Sequence, residues 1–236
     1  MIRRLIYAAT LLLALASCAA EERPLAYVSL GDSLAVGVGA SDPQQRGYTP
    51  IYRDVLAEET GREVRLVALG ISGETSASFI GSYPDEESSQ LARAEQTLEK
   101  NPNAIVTVSV GGNDLLRAAD GTHADREAAI TRYGHNLDFI LRKLEDASNP
   151  APRISVLALY NPAPGSPTDA WIGRLNAQIR TVARENGAAV AAGDEAFRGH
   201  EREYVHHDRH QWDIHPTDKG YAALARAFLE ASPKSY

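Results

Sequence analysis

Cysteine occurs once in this chain of 236 residues, at Cys18, and methionine only at position 1. A single thiol near the start excludes an internal disulfide and leaves the body of the chain without a thiol nucleophile. No apolar run approaches the roughly 20 residues that a spanning helix needs; the run from Leu5 to Ala16 is near 12. Basic residues are outnumbered 24 to 31, for a net charge of −7, which argues against nucleic acid as a partner. Three motifs are also missing. There is no G-x-S-x-G, which removes the α/β-hydrolase nucleophile elbow. There is no Walker A loop, and "GVG" at Gly37 to Gly39 is too little for a dinucleotide fingerprint. What remains is a chain with 44% apolar residues, sufficient for the core of one ordinary domain.

The first residues stand apart. "MIRR" is a short basic stretch, Leu5 to Ala16 has the length of a signal-peptide core, and "LASC" closes it with small residues. Leu15-Ala16-Ser17-Cys18 resembles a bacterial lipoprotein processing box. That resemblance implies cleavage before Cys18, lipid on the Cys18 thiol and amine, and tethering to a membrane surface without a spanning segment. The expected organisation is a signal peptide over 1–17, a lipidated N-terminus and linker over 18–24, and one domain over 25–236. Loss of Arg3 and Arg4 would take the net charge from −7 to −9, so the anchor would act through lipid rather than basic residues.

From Leu25 onward, short apolar runs alternate with amphipathic segments. The runs are "LAYVSL" (Leu25 to Leu30), "VRLVAL" (Val64 to Leu69), "AIVTVSV" (Ala104 to Val110), "ISVLALY" (Ile154 to Tyr160) and "AAVAA" (Ala188 to Ala192). Continuous hydrophobicity predicts strands covered on both faces, as in a parallel sheet. Between them, helical spacing aligns Ile130, Tyr133, Leu137, Ile140, Leu141 and Leu144, then Trp171, Ile172, Leu175, Ile179 and Val182, then Tyr221, Leu224, Ala225, Phe228 and Leu229. All three stripes read as core. Gly61 and Gly187 sit where helices need a left-handed stop. The alternation predicts an α/β fold, a three-layer α/β/α sandwich around a central five-stranded parallel sheet, with any site beyond the carboxyl ends of the strands.

The loops there carry chemistry. "GDSL" follows the first run, "GISGETS" (Gly70 to Ser76) the second and "GGND" (Gly111 to Asp114) the third, while "DIHPTDKGY" (Asp213 to Tyr221) precedes the last helix. Ser33 is a nucleophile only if a base takes its proton; its plainer reading is a helix N-cap. Asp32 reads as orienting the turn. His215 suits a general base near neutral pH, Pro216 is expected to preorganise the first turn of the last helix, and Gly220 to allow close packing. The four blocks, in this order, resemble those of the GDSL esterase/lipase (SGNH hydrolase) family, and thioesterase I and lysophospholipase-like members in particular. The resemblance implies an acyl-serine mechanism without metal or cofactor, a small-molecule or lipid ester as substrate, and three oxyanion donors: the Ser33 and Gly73 backbone N–H groups and the Asn113 amide.

The sequence departs from the family in one place. An aspartate usually stands three residues ahead of the histidine, where this chain has Trp212; the nearest acid, Asp213, is two ahead. Asp213, Asp208 or a backbone carbonyl near Trp212 therefore compete to orient His215. Five of the seven histidines fall between positions 200 and 215, at no recognisable zinc spacing, and read as a polar loop beside the site. Two further readings stay open: a carbohydrate O-acetylesterase, which needs a closed acyl pocket where a lipase needs an open apolar one, and an envelope binding protein whose site has decayed.

Overall fold

The computed structural model describes residues 23–81, 86–166, 169–206 and 213–232. Five strands, β1 (Leu25–Gly31), β2 (Val64–Ala68), β3 (Ile105–Ser109), β4 (Arg153–Ala158) and β5 (Ala189–Ala192), form one sheet in the order β2-β1-β3-β4-β5. Every pairing is parallel. The α-helices among the described residues are α1 (Ser33–Val36), α2 (Pro43–Arg46), α3 (Tyr48–Thr60), α4 (Ser76–Ile80), α5 (Gln90–Glu99), α6 (Gly112–Arg117), α7 (His123–Asp146), α8 (Asp169–Glu185), α9 (Gly193–Phe197), α10 (Glu201–Tyr204) and α11 (Asp218–Ala231). The three-layer parallel architecture expected from the alternation is the one observed.

Position in the sheet explains how the apolar runs differ. All seven residues of β1 and all five of β3 are buried, because each strand has a neighbour on both sides and helices on both faces. The edge strand β2, counted among the continuous runs, leaves Arg65 and Ala68 exposed. Helices α3 and α11 pack together, and α7 packs against both α5 and α8. Tyr48, Tyr52 and Phe228 join α3 to α11, with Tyr48 stacked on Phe228 at 4.9 Å. Tyr27 meets Tyr52 edge-on and spends its hydroxyl on Thr107, 2.9 Å away, so the buried phenol is not left unpaired. Gly61 and Gly187 end their helices at φ 63° and 65°, as the sequence predicts.

The direction of the chain reverses its march across the sheet at β1. Its neighbours β2 and β3 follow it on opposite sides, which opens a crevice beyond their carboxyl ends. The loops after β1, β2 and β3 are "GDS", "GISGETS" and "GGND", so the order of the sheet brings three separated blocks to one place.

Candidate active site

The turn after β1 is tight for an identifiable reason. Gly31 adopts φ 132°, and a Cβ there would lie 2.1 Å from the Ser109 carbonyl oxygen, so only glycine lets β1 run so close to β3. Asp32 then caps α1, its Oδ1 accepting from the Leu34 N–H at 3.0 Å. Ser33 is thus the first residue of the helix and not its N-cap, as the plainer sequence reading had it. A first-turn residue has no intrahelical acceptor for its N–H. The Ser33 and Gly73 N–H groups have no protein acceptor among the described residues. Gly73 holds φ 82°, and a Cβ on it would meet nothing within 4 Å, so its amide lies beside open space.

A second layer of buried polar groups ties these turns together. Gln90, the first residue of α5, pairs its carboxamide with both backbone groups of Gly31 and also donates from Nε2 to Glu74 Oε2 at 2.9 Å. The Glu74 carbonyl accepts from Asn113 Nδ2 at 2.9 Å, which fixes the amide plane while leaving its second N–H for another acceptor. Asp114 receives the Ser76 N–H at 2.9 Å and the Ser76 hydroxyl, whose oxygen accepts from Asn136. A matching brace stands across the sheet: buried Asn176 of α8 pairs with both backbone groups of Leu159 at 2.8 Å, just past the end of β4. In each case a side-chain amide takes the place of a strand neighbour where the ladder has ended. Burial drives the Asp32 carboxyl up to about 7, helped by the nearby Asp114 and Glu74 carboxylates and opposed by the Leu34 N–H. Burial also raises Asp114, against its two bonds from Ser76.

His215 arrives from the far end of the chain. Its Nε2 lies 2.9 Å from Ser33 Oγ, and its Nδ1 lies 2.9 Å from Asp213 Oδ1. That same carboxylate oxygen accepts the His215 backbone N–H at 2.9 Å. An aspartate that accepts the N–H two residues on forms an Asx-turn, and this fold swings the Asp213 carboxylate back onto the ring. The one-residue displacement seen in the sequence is absorbed in that way. Burial pushes the Asp213 carboxyl up, but the backbone N–H and the imidazole outweigh it and hold it below the ordinary range. An ionised Asp213 accepts from Nδ1–H, which leaves Nε2 unprotonated and facing the serine hydroxyl. Asp208 and Trp212, the other candidates for this role, lie outside the described residues, as do Cys18 and the histidines at 207 and 210.

The His215 loop is held from three sides. The Tyr160 hydroxyl donates to the Ile214 carbonyl, the His206 N–H donates to the His215 carbonyl at 3.1 Å, and the His206 ring lies 2.8 Å from the Gly39 carbonyl. A Cβ on Gly39 would come 2.9 Å from His215 Cβ, so "GVG" has a use that no sequence motif announced. Pro216 does not open the last helix: it pairs with Val205 in an isolated bridge, and α11 begins at Asp218 behind the Thr217 cap. Gly220 does permit close packing, since a Cβ there would lie 2.2 Å from the Tyr204 carbonyl. Among the described residues, no group of three His, Cys, Asp or Glu side chains is arranged to hold a metal ion.

Beside Ser33, Asn113 and His215 opens a cleft of about 240 Å³. Leu34, Leu115, Leu116, Leu159, Ile172 and Leu175 line it, with Trp171 and Arg126 also on its wall. The stripe on α8 was expected to be core; Leu175, Ile179 and Val182 are buried, but Trp171 and Ile172 are partly exposed on the cleft wall. Sequence reasoning also missed Gln90 and Asn176. A polar amide in register with an apolar stripe, Gln90 with Leu91, Ala94 and Leu98, was the available signal.

Comparison with known proteins agrees with this arrangement. The profile of the GDSL-like Lipase/Acylhydrolase family matches residues 29–223. The spore germination lipase LipC of Bacillus licheniformis is 28% identical over 219 residues, covering 88% of this chain and 96% of that protein. Among solved structures, the lipase Lip_vut3 from a goat rumen metagenome superposes with a TM-score of 0.73 at 26% identity, covering 88% of this chain and 97% of that one. The acetylxylan esterase Axe2 of Geobacillus stearothermophilus shares the fold, with a TM-score of 0.66 at 18% identity over 90% of this chain and 94% of its own.

Proposed function

Because this chain belongs to the GDSL-like lipase/acylhydrolase family and is a serine ester hydrolase, we propose that it cleaves medium-chain acyl esters or thioesters through an acyl group on Ser33. The apolar cleft beside Ser33 carries this reading. Its volume of about 240 Å³ and its lining of leucine and isoleucine side chains suit an acyl chain of several methylenes and are far more than acetate needs. The second support is the surface around it. Val36, Ile71 and Leu116, three of the four exposed large apolar side chains among the described residues, stand on the segments that bear Ser33, Gly73 and Asn113. Such a rim favours a substrate presented by a lipid phase over a soluble polysaccharide.

In the proposed reaction His215 Nε2 takes the Ser33 proton as Oγ attacks the acyl carbonyl carbon. The carbonyl oxygen becomes an oxyanion, received by the Ser33 and Gly73 N–H groups and the free N–H of the Asn113 amide. Asp213 stabilises the imidazolium that forms. Collapse breaks the bond to the leaving oxygen or sulfur, which takes the proton from His215. Water then repeats the sequence on the acyl-serine and releases the acid. The hydrogen-bonded Ser33, His215 and Asp213 speak against a decayed binding protein.

The site at Cys18 extends the proposal to location. Export, cleavage before Cys18 and lipidation would hold the enzyme at a membrane of the cell envelope, close to lipid esters. Turnover of p-nitrophenyl esters from acetate to palmitate tests the substrate reading: a maximum near octanoate is expected, and strict preference for acetate would replace it with the O-acetylesterase. Metabolic labelling with palmitate, lost in Cys18→Ala, tests the anchor.

A further inference from the structure

Apart from the polar groups around Ser33, the cleft is lined by apolar and aromatic side chains and by one cation, Arg126. Arg126 is half-buried on the first turn of α7, and one of its terminal nitrogens donates to the Ala119 carbonyl. Its Cζ lies 5.6 Å from the centre of the Trp171 ring, within cation–π range. Trp171 is itself held: Arg174 reaches its ring at 5.3 Å and His123 meets it edge-on at 4.8 Å. Two acids of the same helical turn are already engaged. Asp125 closes the capping box of α7 with Thr122, and Glu127 pairs with Arg174. Among the described residues Arg126 has no carboxylate at ion-pair distance, and its one hydrogen bond, to the Ala119 carbonyl, leaves most of its five N–H donors unspent.

A cation turned toward an apolar cleft is unfavourable unless something offsets its lost hydration. The indole and one carbonyl do so in part; an anion would complete it. The contact is also at a useful distance. Ala119 lies two residues past the end of α6, whose four steps from Asn113 to Arg117 alone rise about 6 Å, which is within the reach of a medium-length chain that begins at the oxyanion donors. We infer that Arg126, on the platform of Trp171, forms an anion-binding subsite, and that the preferred substrate is an amphiphilic ester bearing a carboxylate or phosphate. This inference rests on the acyl-hydrolase reading and adds to it the class of the substrate.

Two matched pairs locate the anion. One compares p-nitrophenyl octanoate with the p-nitrophenyl monoester of octanedioic acid, which places a carboxylate at the end of the acyl chain. The other compares octanoylglycerol with octanoylglycerol phosphate, which places the charge on the alcohol. In at least one pair the anionic member is expected to have the higher kcat/KM, through KM. Arg126→Met should lower the ratio of anionic to neutral kcat/KM about tenfold, and Arg126→Lys should recover part of it. The preference should fade with added salt. A direct measurement stands apart from turnover: octyl phosphate should bind Ser33→Ala protein more tightly than octanol does, and Arg126→Met should remove the difference. Equal ratios in wild type and Arg126→Met, with neutral octanoyl esters still hydrolysed, would overturn the subsite alone. Failure to hydrolyse any neutral ester would instead strike the hydrolase reading, and the octyl phosphate comparison would still decide the subsite.

Discussion

Behind Ser33 the polar groups are tied to one another: Gln90 to Gly31 and Glu74, Asn113 to Glu74, Asp114 to Ser76, and Ser76 to Asn136. In front of it, the wall made by Leu34, Leu115, Leu116, Leu159, Ile172 and Leu175 offers apolar area with no directional bond from its side chains. The difference follows from what each wall must do. Proton transfer and oxyanion binding depend on distances good to tenths of an ångström, and buried hydrogen bonds supply that definition. Holding an acyl chain depends on area removed from water, which is indifferent to direction. Changes behind should therefore appear in kcat, and changes in front should appear in which chain is chosen.

The largest break is to remove a reacting group. Ser33→Ala and His215→Ala should each lower kcat by about 10⁴-fold or more. Both proteins should bind octanoate as the wild type does, because the front wall is untouched; fluorophosphonate labelling of Ser33 should vanish in both. Asp213→Asn is next. It keeps the Asx-turn but no longer fixes the Nδ1 proton, and should lower kcat by about 100-fold or more with little change in KM. Near wild-type turnover would transfer the orienting role to another group. On the front wall, Ala119→Trp fills the far end of the cleft. It should lower the octanoate to acetate ratio of kcat/KM by about tenfold, as loss of room for a methylene or two would. An unchanged ratio would place the chain elsewhere.

The last break concerns stability rather than turnover, through the buried carboxyl of the back wall. Asp32 titrates at about 7 in the folded protein, against about 3.9 when unfolded. Between those values the folded state holds the extra proton, so this group makes stability fall as pH rises from about 4 to about 7 and then level off. Asp32→Asn retains an oxygen for the Leu34 N–H and should flatten that part of the pH dependence of Tm. The same slope in both proteins would exclude Asp32 as its source. Asp213 acts in the opposite sense. Its folded carboxyl lies below the ordinary range, so its contribution is present above the unfolded value and is lost as pH falls through the folded one; half-exposure keeps that contribution small.

Much of the catalytic face was readable because its residues are constrained one at a time. "GDS" at a strand end and glycine at a positive φ each express a local rule. Local rules also misled. Pro216 looks like the start of a helix, but its pairing with Val205 delays α11 to Asp218. Trp171 and Ile172 follow the same helical period as Leu175 and Ile179, and periodicity cannot tell a stripe that meets the sheet from one that runs on past its edge into a cleft.

The sequence by itself determined the alternation of strand and helix, the parallel sheet and the blocks that bear Ser33, Gly73, Asn113 and His215, because propensity and period act over a few neighbours at a time. Only the tertiary structure decided that Asp213 turns back onto His215, that Gln90 and Asn176 brace two strand ends, and that Arg126 and Trp171 share a cleft with Ser33. Gln90 lies 59 positions from Gly31, and His215 lies 182 from Ser33. Such contacts form only when the order of strands in the sheet brings distant segments together, and no local preference records that order.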